Sequence, residues 1–419
     1  MITPILRNDR IKINIRLNYI KAVLIPVITY GSEVWYQNKP QIKALERLYL
    51  ESLRMVMGCS RVSPNYVLLA ETNMFPLHFI IVKNRANTYS KWFNLNKNLT
   101  SSQWLNTLVR SKNVGRRWNW LTYSRQSFKQ LGINYSLLEK PMQTKTPKKQ
   151  NSTEPGVLAD GTFDIETFIM GEKRGPKYSD TPYEVYINEC LEKSFFQLCL
   201  RKLGKTPSCE PYLIYLRERG SLKPEAYLGT VKCPLGCKVL FKARSNSLPI
   251  GERIGSHGFS GTSKCVLCRR ECKETLSHIM FQCEGYEETR KDLFGFINKF
   301  TTRSYRRKLV RSDDQGKINT LIRSQPDFTL AYNVPGKDIN GGDDYDRWCS
   351  DMKSLFYEFQ LKRAQAFAYM WRWRNFAIKC KIDRGLLPVS PGGQAQRVSR
   401  NQNAGGGVVH TNNSMEDAM

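Results

Sequence analysis

Long hydrophobic runs are missing from this sequence of 419 residues. Its most apolar stretch, AVLIPVITYG, is short and contains Pro26, so the sequence predicts no membrane-spanning helix. The N-terminal residues MITPILRNDRIKINIR carry too many charges for a secretory signal peptide. The sequence has 12 cysteines, and without a signal peptide we expect reduced thiols in an intracellular protein rather than a disulfide framework.

Motifs of known catalytic sites are also missing. The sequence has no phosphate-binding glycine-rich loop, no nucleophile elbow and no His-Glu-x-x-His pair. The pairs Asp313-Asp314 and Asp343-Asp344 lack the flanking strand residues that would hold them rigidly around Mg²⁺, so we interpret both as solvated loop acids. Asp160 and Asp164 weakly resemble the first strand of a ribonuclease H site, although Asp-Gly more often marks a turn. The sequence therefore shows no active site, and an enzymatic function would require a hidden nuclease there.

Acidic residues are few relative to basic ones. There are 37 Asp and Glu against 65 Lys and Arg, which gives a formal net charge of +28. An excess of this size is typical of proteins with a polyanionic partner, nucleic acid before an anionic membrane, although a basic protein without such a partner is the simpler alternative. Hydrophobic residues make up 41% of the chain, as in ordinary folded proteins.

Two basic segments are candidates for nucleic-acid contact. Aromatic residues, among them Trp118 and Trp120, lie between the cations of the first segment, and rings of this kind can stack on unpaired bases. The alternative is that the aromatics are core and the cations a solvated face. The candidate phosphate-binding residues are Arg110, Lys112, Arg116, Arg117 and Arg125 in the first segment, and Arg303, Arg306, Arg307 and Lys308 in the second.

Helical periodicity predicts a mainly α-helical fold. Ile42, Leu45, Leu48, Tyr49 and Val56 recur at helical spacing before a stop at Gly58, and the 355–380 segment is strongly amphiphilic, most simply for docking on its own core. The predicted regions are a helical region at 1–140, a linker at 141–180, a helical region with a metal-binding finger at 181–300, a basic amphiphilic helical region at 301–385 and a disordered tail at 386–419.

The most informative residues lie in the segment CVLCRRECKETLSHIMFQC. Cys265 and Cys268 form a metal-binding elbow, and His278 and Cys283 complete a Cys₃His set. Thiolate and imidazole in this number are typical of a closed, tetrahedral, structural zinc site with no open position for catalysis. Cys272 lies between the two pairs and is taken as a spectator.

Two features of the cysteines leave alternatives open. His278 and Cys283 are five positions apart, about 140° on an ideal helix, so they can share a metal only if the helix end tightens or frays. Cys233 and Cys237 in CPLGC form a second elbow without an evident partner pair, and two buried thiols are the better interpretation.

Two blocks of the chain resemble the region that follows the palm in non-LTR, LINE-type (jockey-like) retrotransposon reverse transcriptases. The first block carries a Tyr-Gly-x-Glu-x-Trp run and a later Leu-x-Glu…Pro-Leu pattern. The second is similar to the family's C-terminal zinc-finger region. The matching residues are Tyr30, Gly31, Glu33, Trp35, Leu69, Glu71, Pro76 and Leu77 in the first block, and Glu274, Thr275 and Arg290 around the finger.

The resemblance implies a thumb, connector and zinc finger without a palm. The family's aromatic-Ala-Asp-Asp hairpin is not found in the 29 residues before Tyr30, so we expect no polymerase activity from this chain alone. The implied function is binding of template RNA or target DNA during target-primed reverse transcription, in the nucleus or in a cytoplasmic ribonucleoprotein, together with other retroelement proteins. The alternatives are a zinc module that binds a protein partner and a non-functional retroelement relic.

Overall fold

The computed structural model describes residues 2–34, 39–94, 103, 107, 120–140, 182–230, 232–250, 263–268, 272–323, 326–329 and 343–384. Within these ranges the fold is mainly α-helical, which confirms the predicted class, and extended pairing is limited to two isolated β-bridges. No helix in the described part is both long enough and apolar enough to cross a membrane. The predicted linker at 141–180 and tail at 386–419 lie outside the described residues.

The α-helices vary widely in length, from one turn to 41 residues. In chain order they are α1 Thr3–Arg7, α2 Ile13–Tyr19, α3 Ile25–Ile28, α4 Lys39–Met57, α5 Asn65–Thr72, α6 Leu77–Asn94, α7 Trp120–Gln130, α8 Tyr135–Leu138, α9 Pro182–Leu203, α10 Glu210–Arg219, α11 Ala226–Thr230, α12 Pro234–Arg244, α13 Glu287–Phe300, α14 Arg303–Arg311, α15 Asp314–Ile318 and α16 Asp343–Asp383. The π-helical turns Ile20–Leu24, His278–Gln282 and Asn319–Arg323 and the 3₁₀ turns Pro207–Cys209 and Glu284–Tyr286 lie between them.

The chain forms two compact units. Unit one comprises Met1–Leu248 and Glu287–Met370, and unit two comprises Pro249–Tyr286 and Trp371–Met419. Helix α16 is continuous through Met370, so its first part belongs to unit one and its last part to unit two. The boundaries drawn from the sequence remain predictions.

Local sequence signals set several helix ends in unit one. Gly58 follows α4 with a φ of 58°, and Asn73 follows α5 with a φ of 47°, both in the left-handed region that ends helices. Pro76 precedes α6, where its carbonyl accepts from the amides of Phe79 and Ile80. Tyr49 and Val56 are buried as predicted, whereas Leu48 is 47% exposed.

Aromatic contacts join the helices of unit one. Phe195 of α9 packs edge-on against Phe75 and Phe79, with ring centroids 5.6 and 6.0 Å apart. Tyr89 of α6 packs edge-on against Phe128 of α7 at 5.2 Å. Because the Phe195 contacts connect segments over 100 residues apart in sequence, α9 belongs to the same core as α6.

A buried network of charges also stabilises unit one. Arg244 Nε donates to Glu71 Oε1 at 2.8 Å, and its Nη2 lies 2.9 Å from Glu225 Oε1. Tyr227 donates to Glu71 at 2.7 Å and Tyr215 to Glu225 at 2.7 Å. Arg244, Glu71 and Glu225 are at most 3% exposed. Glu225 also pairs with Arg219, so Glu71 is the carboxylate that depends more on the Arg244 guanidinium for its charge.

A further guanidinium lies beside this network. Arg323 is buried and donates to the Arg244 carbonyl at 3.1 Å. Burial, together with the positive charge of Arg244, lowers the pKa of Arg323 to about 9. Glu71 belongs to the Leu-x-Glu pattern that resembles reverse transcriptases. Because it is buried and paired with Arg244, it is an internal structural residue.

The two Asp-Asp pairs belong to helix starts rather than to loops, which corrects the interpretation from the sequence. Asp313 is the N-cap of α15, since its carboxylate accepts from the Gly316 amide at 2.8 Å. Asp343 is the first residue of α16. Asp160 and Asp164 lie outside the described residues.

His78 in α6 predicts a loss of stability in mild acid. Burial lowers its pKa from 6.5 to about 4. In the unfolded chain the imidazole takes up a proton below about pH 6.5, whereas in the folded chain it does so only below about 4, so this contribution to stability is lost as the pH falls through that window. We expect His78→Gln to flatten the pH dependence of the unfolding free energy by about 1–3 kcal/mol between pH 6.5 and 4. Urea denaturation at several pH values between 6.5 and 4 measures the unfolding free energy of the wild type and of the variant. An identical pH dependence in the two proteins would contradict the prediction.

Candidate metal centre

A short antiparallel pairing places the first cysteine of the finger, which comprises residues 265–283. Lys264 and Lys273 form a β-bridge, Cys265 N donates to Cys272 O at 2.7 Å, and Glu274 N donates to Ser263 O at 2.8 Å. These bonds fix the start of the Cys265–Cys268 elbow beside the segment that leads to the histidine. Cys272 therefore supports the site through its backbone carbonyl.

The second pair of predicted ligands is brought together by a π-helical turn. His278–Gln282 is π-helical, and the Cys283 amide donates to the His278 carbonyl, five residues back, at 2.8 Å. The Thr275 hydroxyl accepts from the His278 amide at 3.0 Å and caps the start of this turn. The sequence predicted that the turn would tighten or fray. Instead it widens, because i→i+5 bonding carries the ligand pair onto one side of the helix.

Three of the four predicted ligands converge. One ligand atom each from Cys265, His278 and Cys283 lies within 4.8 Å of the others, and all three residues are buried. The two sulfurs are 3.7 Å apart. Tetrahedral zinc with Zn–S bonds of about 2.3 Å places two sulfurs about 3.8 Å apart, so this spacing fits a shared ion.

The electrostatics of the cluster also favour a cation. Burial raises the pKa of the Cys283 thiol, and the neighbouring Cys265 sulfur raises it further. Two adjacent buried thiolates therefore require a positive ion, and a bound metal deprotonates coordinating thiols outright. The His278 Nε2 atom is buried and has no hydrogen-bond partner among the described residues, as expected of a nitrogen that awaits a metal.

The predicted fourth ligand, Cys268, lies beside the convergent three. Cys268 and Cys272 are half-buried, and together with His278 they line one cleft of about 590 Å³. The described structure brings Cys265, His278 and Cys283 together but does not place Cys268 within the same 4.8 Å. Cys268 as the fourth ligand remains a prediction.

An ion pair holds the finger against the end of α16 inside unit two. Arg374 Nε donates to Glu274 Oε1 at 2.8 Å, and its Nη2 donates to Glu274 Oε2 at 2.7 Å. Their side chains are 4% and 0% exposed. A bidentate, buried pair fixes orientation as well as distance, so Glu274 positions the residues just before His278. No local pattern of residues indicated this pairing, because its two partners are 100 residues apart.

The interpretation of the second elbow, Cys233 and Cys237, as two buried thiols is confirmed for Cys237 but not for Cys233. Cys237 is buried in α12, where its sulfur lies 3.4 Å from the Tyr227 carbonyl, and burial raises its thiol pKa to about 12. Cys233 is only half-buried. Neither belongs to a metal-binding group among the described residues.

The predicted phosphate-binding residues differ in their surroundings. Arg110, Lys112, Arg116 and Arg117 lie outside the described residues. Arg125 pairs with Glu139 at 2.6 Å and donates to the Tyr89 hydroxyl at 3.0 Å. In α14, Tyr305 and Leu309 are buried, whereas Arg303, Arg307 and Lys308 are exposed.

The remaining predicted cation, Arg306, forms hydrogen bonds with backbone carbonyls. Arg306 is half-buried and donates to the carbonyls of Asn298 and Thr301, the latter at 2.8 Å. Helix α14 therefore presents three of its four predicted cations to solvent. As contacts to nucleic acid, all nine residues remain predictions.

Part of the chain matches a known protein family. Residues 211–289 match a family described as zinc-binding in reverse transcriptase. The match supports a protein related to reverse transcriptases. The matched module covers about a fifth of the chain and includes all four predicted ligands, so zinc is its cofactor, as predicted. The searches of curated proteins and of solved structures found no match.

The module extends well beyond the finger itself. It begins in α10 and includes α12, so Glu225 and Arg244 of the buried charge network fall inside it. The helical region with the finger that we drew from the sequence, 181–300, contains this whole module.

Proposed function

We propose that this chain is a nucleic-acid-binding part of a non-LTR, LINE-type reverse transcriptase that holds template RNA or target DNA for target-primed reverse transcription. The observation that carries the proposal is the convergence of Cys265, His278 and Cys283 inside a module that matches reverse transcriptases. A structural zinc ion there, with Cys268 as fourth ligand, would hold the finger in one conformation.

The positive charge of the chain supports a polyanionic ligand. The net charge is +28, and α14 exposes Arg303, Arg307 and Lys308 to solvent while Tyr305 and Leu309 are buried. Among the described residues these three form no ion pair, so their charges are available for phosphates. Target DNA places the protein in the nucleus, and its partners would include other retroelement proteins.

A salt titration of nucleic-acid binding tests the proposal. Fluorescence anisotropy would measure the affinity of the zinc-loaded chain for a labelled duplex from 50 to 200 mM salt. We expect Arg303→Gln/Arg307→Gln/Lys308→Gln to weaken binding at least about tenfold and to reduce the slope of log K against log salt by roughly 0.9 per lost phosphate contact.

The matched control removes three exposed cations elsewhere in unit one, Arg201, Lys205 and Arg217, by the same substitution. Equal losses in the two triple variants would mean that net charge alone drives binding. Absence of binding at low salt would contradict the proposal and would favour a protein-interaction module.

A further inference from the structure

The end of α16 carries two large aromatic side chains in contact with solvent. Trp373 is 45% exposed and Phe376 is 57% exposed. Earlier aromatics of the same helix, Phe356, Phe359 and Phe367, are completely buried. The amphiphilic helix therefore docks on its own core in its first part, as predicted, but leaves an exposed aromatic pair in unit two.

These two rings are held in a fixed, nearly parallel arrangement. Their centroids are 5.7 Å apart, and their planes differ by 18°. The indole Nε1 of Trp373 donates to the Gly285 carbonyl at 3.1 Å, two residues beyond the predicted ligand Cys283. Arg374, between the two rings in sequence, is buried in its pair with Glu274, which fixes the rotation of the helix and directs Trp373 and Phe376 outward.

Two cations lie on the same side of the helix as the rings. Arg372 precedes Phe376 by four residues and Lys379 follows it by three, spacings that place all three side chains on one helical face. Both cations are exposed, and neither forms an ion pair within the part of the chain that the structure describes. The result is a pair of flat rings between two positive charges.

We propose that Trp373 and Phe376 form a stacking platform for the unpaired bases of a single-stranded nucleic acid, whose phosphates contact Arg372 and Lys379. This rests on the proposed function and specifies the strandedness of the ligand. Bases of any sequence stack on aromatic rings, while cations follow the backbone. A duplex offers no free base faces, so it gains nothing from the rings. Exposed Trp, Phe and Arg side chains also suit a protein partner, but the two exposed cations that flank the rings favour the phosphates of a nucleic acid.

The experiment compares single-stranded and duplex oligonucleotides on the zinc-loaded full-length chain. Anisotropy would measure the affinity for a labelled 12-mer of thymidine and for a duplex of equal length. We expect Trp373→Ala and Phe376→Ala each to weaken single-strand binding about tenfold or more, while duplex binding changes less than twofold. Tyr357→Ala, which removes another exposed ring of α16, should leave both affinities unchanged.

A loss of zinc in Trp373→Ala would show that the hydrogen bond to Gly285 maintains the finger. Phe376→Ala then carries the test, since Phe376 forms no hydrogen bond through its side chain. Unchanged single-strand affinity in a folded Phe376→Ala variant would overturn the platform while leaving the proposed function intact. Equal losses for single strand and duplex would also overturn it. If the wild-type chain binds neither oligonucleotide, the proposed function itself fails.

Discussion

Replacing Cys283 with serine should reduce the zinc content from one ion per chain to almost none and should unfold the finger. The hydroxyl is a poor zinc ligand, and Cys283 also ends the π-helical turn that carries His278. Structural zinc sites contribute about 10–16 kcal/mol in isolated fingers, more than this small module can replace by packing. Native mass spectrometry measures the zinc, and near-ultraviolet circular dichroism measures the loss of fixed aromatic packing.

The controls for this prediction use the other cysteines. Cys237→Ser should retain zinc, because Cys237 is buried in α12 against the Tyr227 carbonyl. A comparison of Cys268→Ser with Cys272→Ser identifies the fourth ligand, since both side chains line the same cleft beside His278. We expect Cys268→Ser to lose zinc and Cys272→Ser to keep it. A Cys283→Ser variant with full zinc content would show that the convergence of the three residues is not a metal site.

Replacing Arg244 with methionine should destabilise unit one by at least about 3–5 kcal/mol. The methionine fills similar space but removes the guanidinium that Glu71 and Glu225 share, so Glu71 loses its ion pair with Arg244 while Glu225 keeps Arg219. The Glu71→Gln substitution removes the charge of one buried carboxylate. The double variant Arg244→Met/Glu71→Gln should therefore have a higher free energy of unfolding than Arg244→Met alone. Urea denaturation followed by far-ultraviolet circular dichroism measures both free energies.

The matched control for Arg244→Met is Arg217→Met in α10, whose side chain is exposed. We expect this variant to change the free energy of unfolding by less than about 0.5 kcal/mol. A cost below about 1 kcal/mol for Arg244→Met would show that the carboxylates find other partners or take up protons. The network would then not stabilise unit one.

The helical class of the protein and the location of its metal centre could be predicted from sequence. Periodic apolar residues before Gly58 indicated α4, and the spacing of Cys265, Cys268, His278 and Cys283 indicated zinc. Both signals are local, since helix periodicity and ligand spacing depend on residues a few positions apart. Both features can therefore be recognised without knowledge of the tertiary structure.

The sequence could not predict how the metal ligands meet. Regular helical geometry separates His278 from Cys283, and only the π-helical turn with its i→i+5 bond brings them together. A π-helical turn is rare, and the expectation from sequence assumed the regular spacing of an α-helix.

The sequence by itself determined that this protein is helical, strongly basic and equipped with a zinc finger. The tertiary structure alone decided which charges are available for a ligand. Arg125 pairs with Glu139, and Arg374 pairs with Glu274 across 100 residues, whereas Arg303 stays exposed. The physical reason is that burial and pairing depend on segments distant in the chain. Arginines that look equivalent in sequence are therefore buried in an ion pair in one place and exposed to solvent in another.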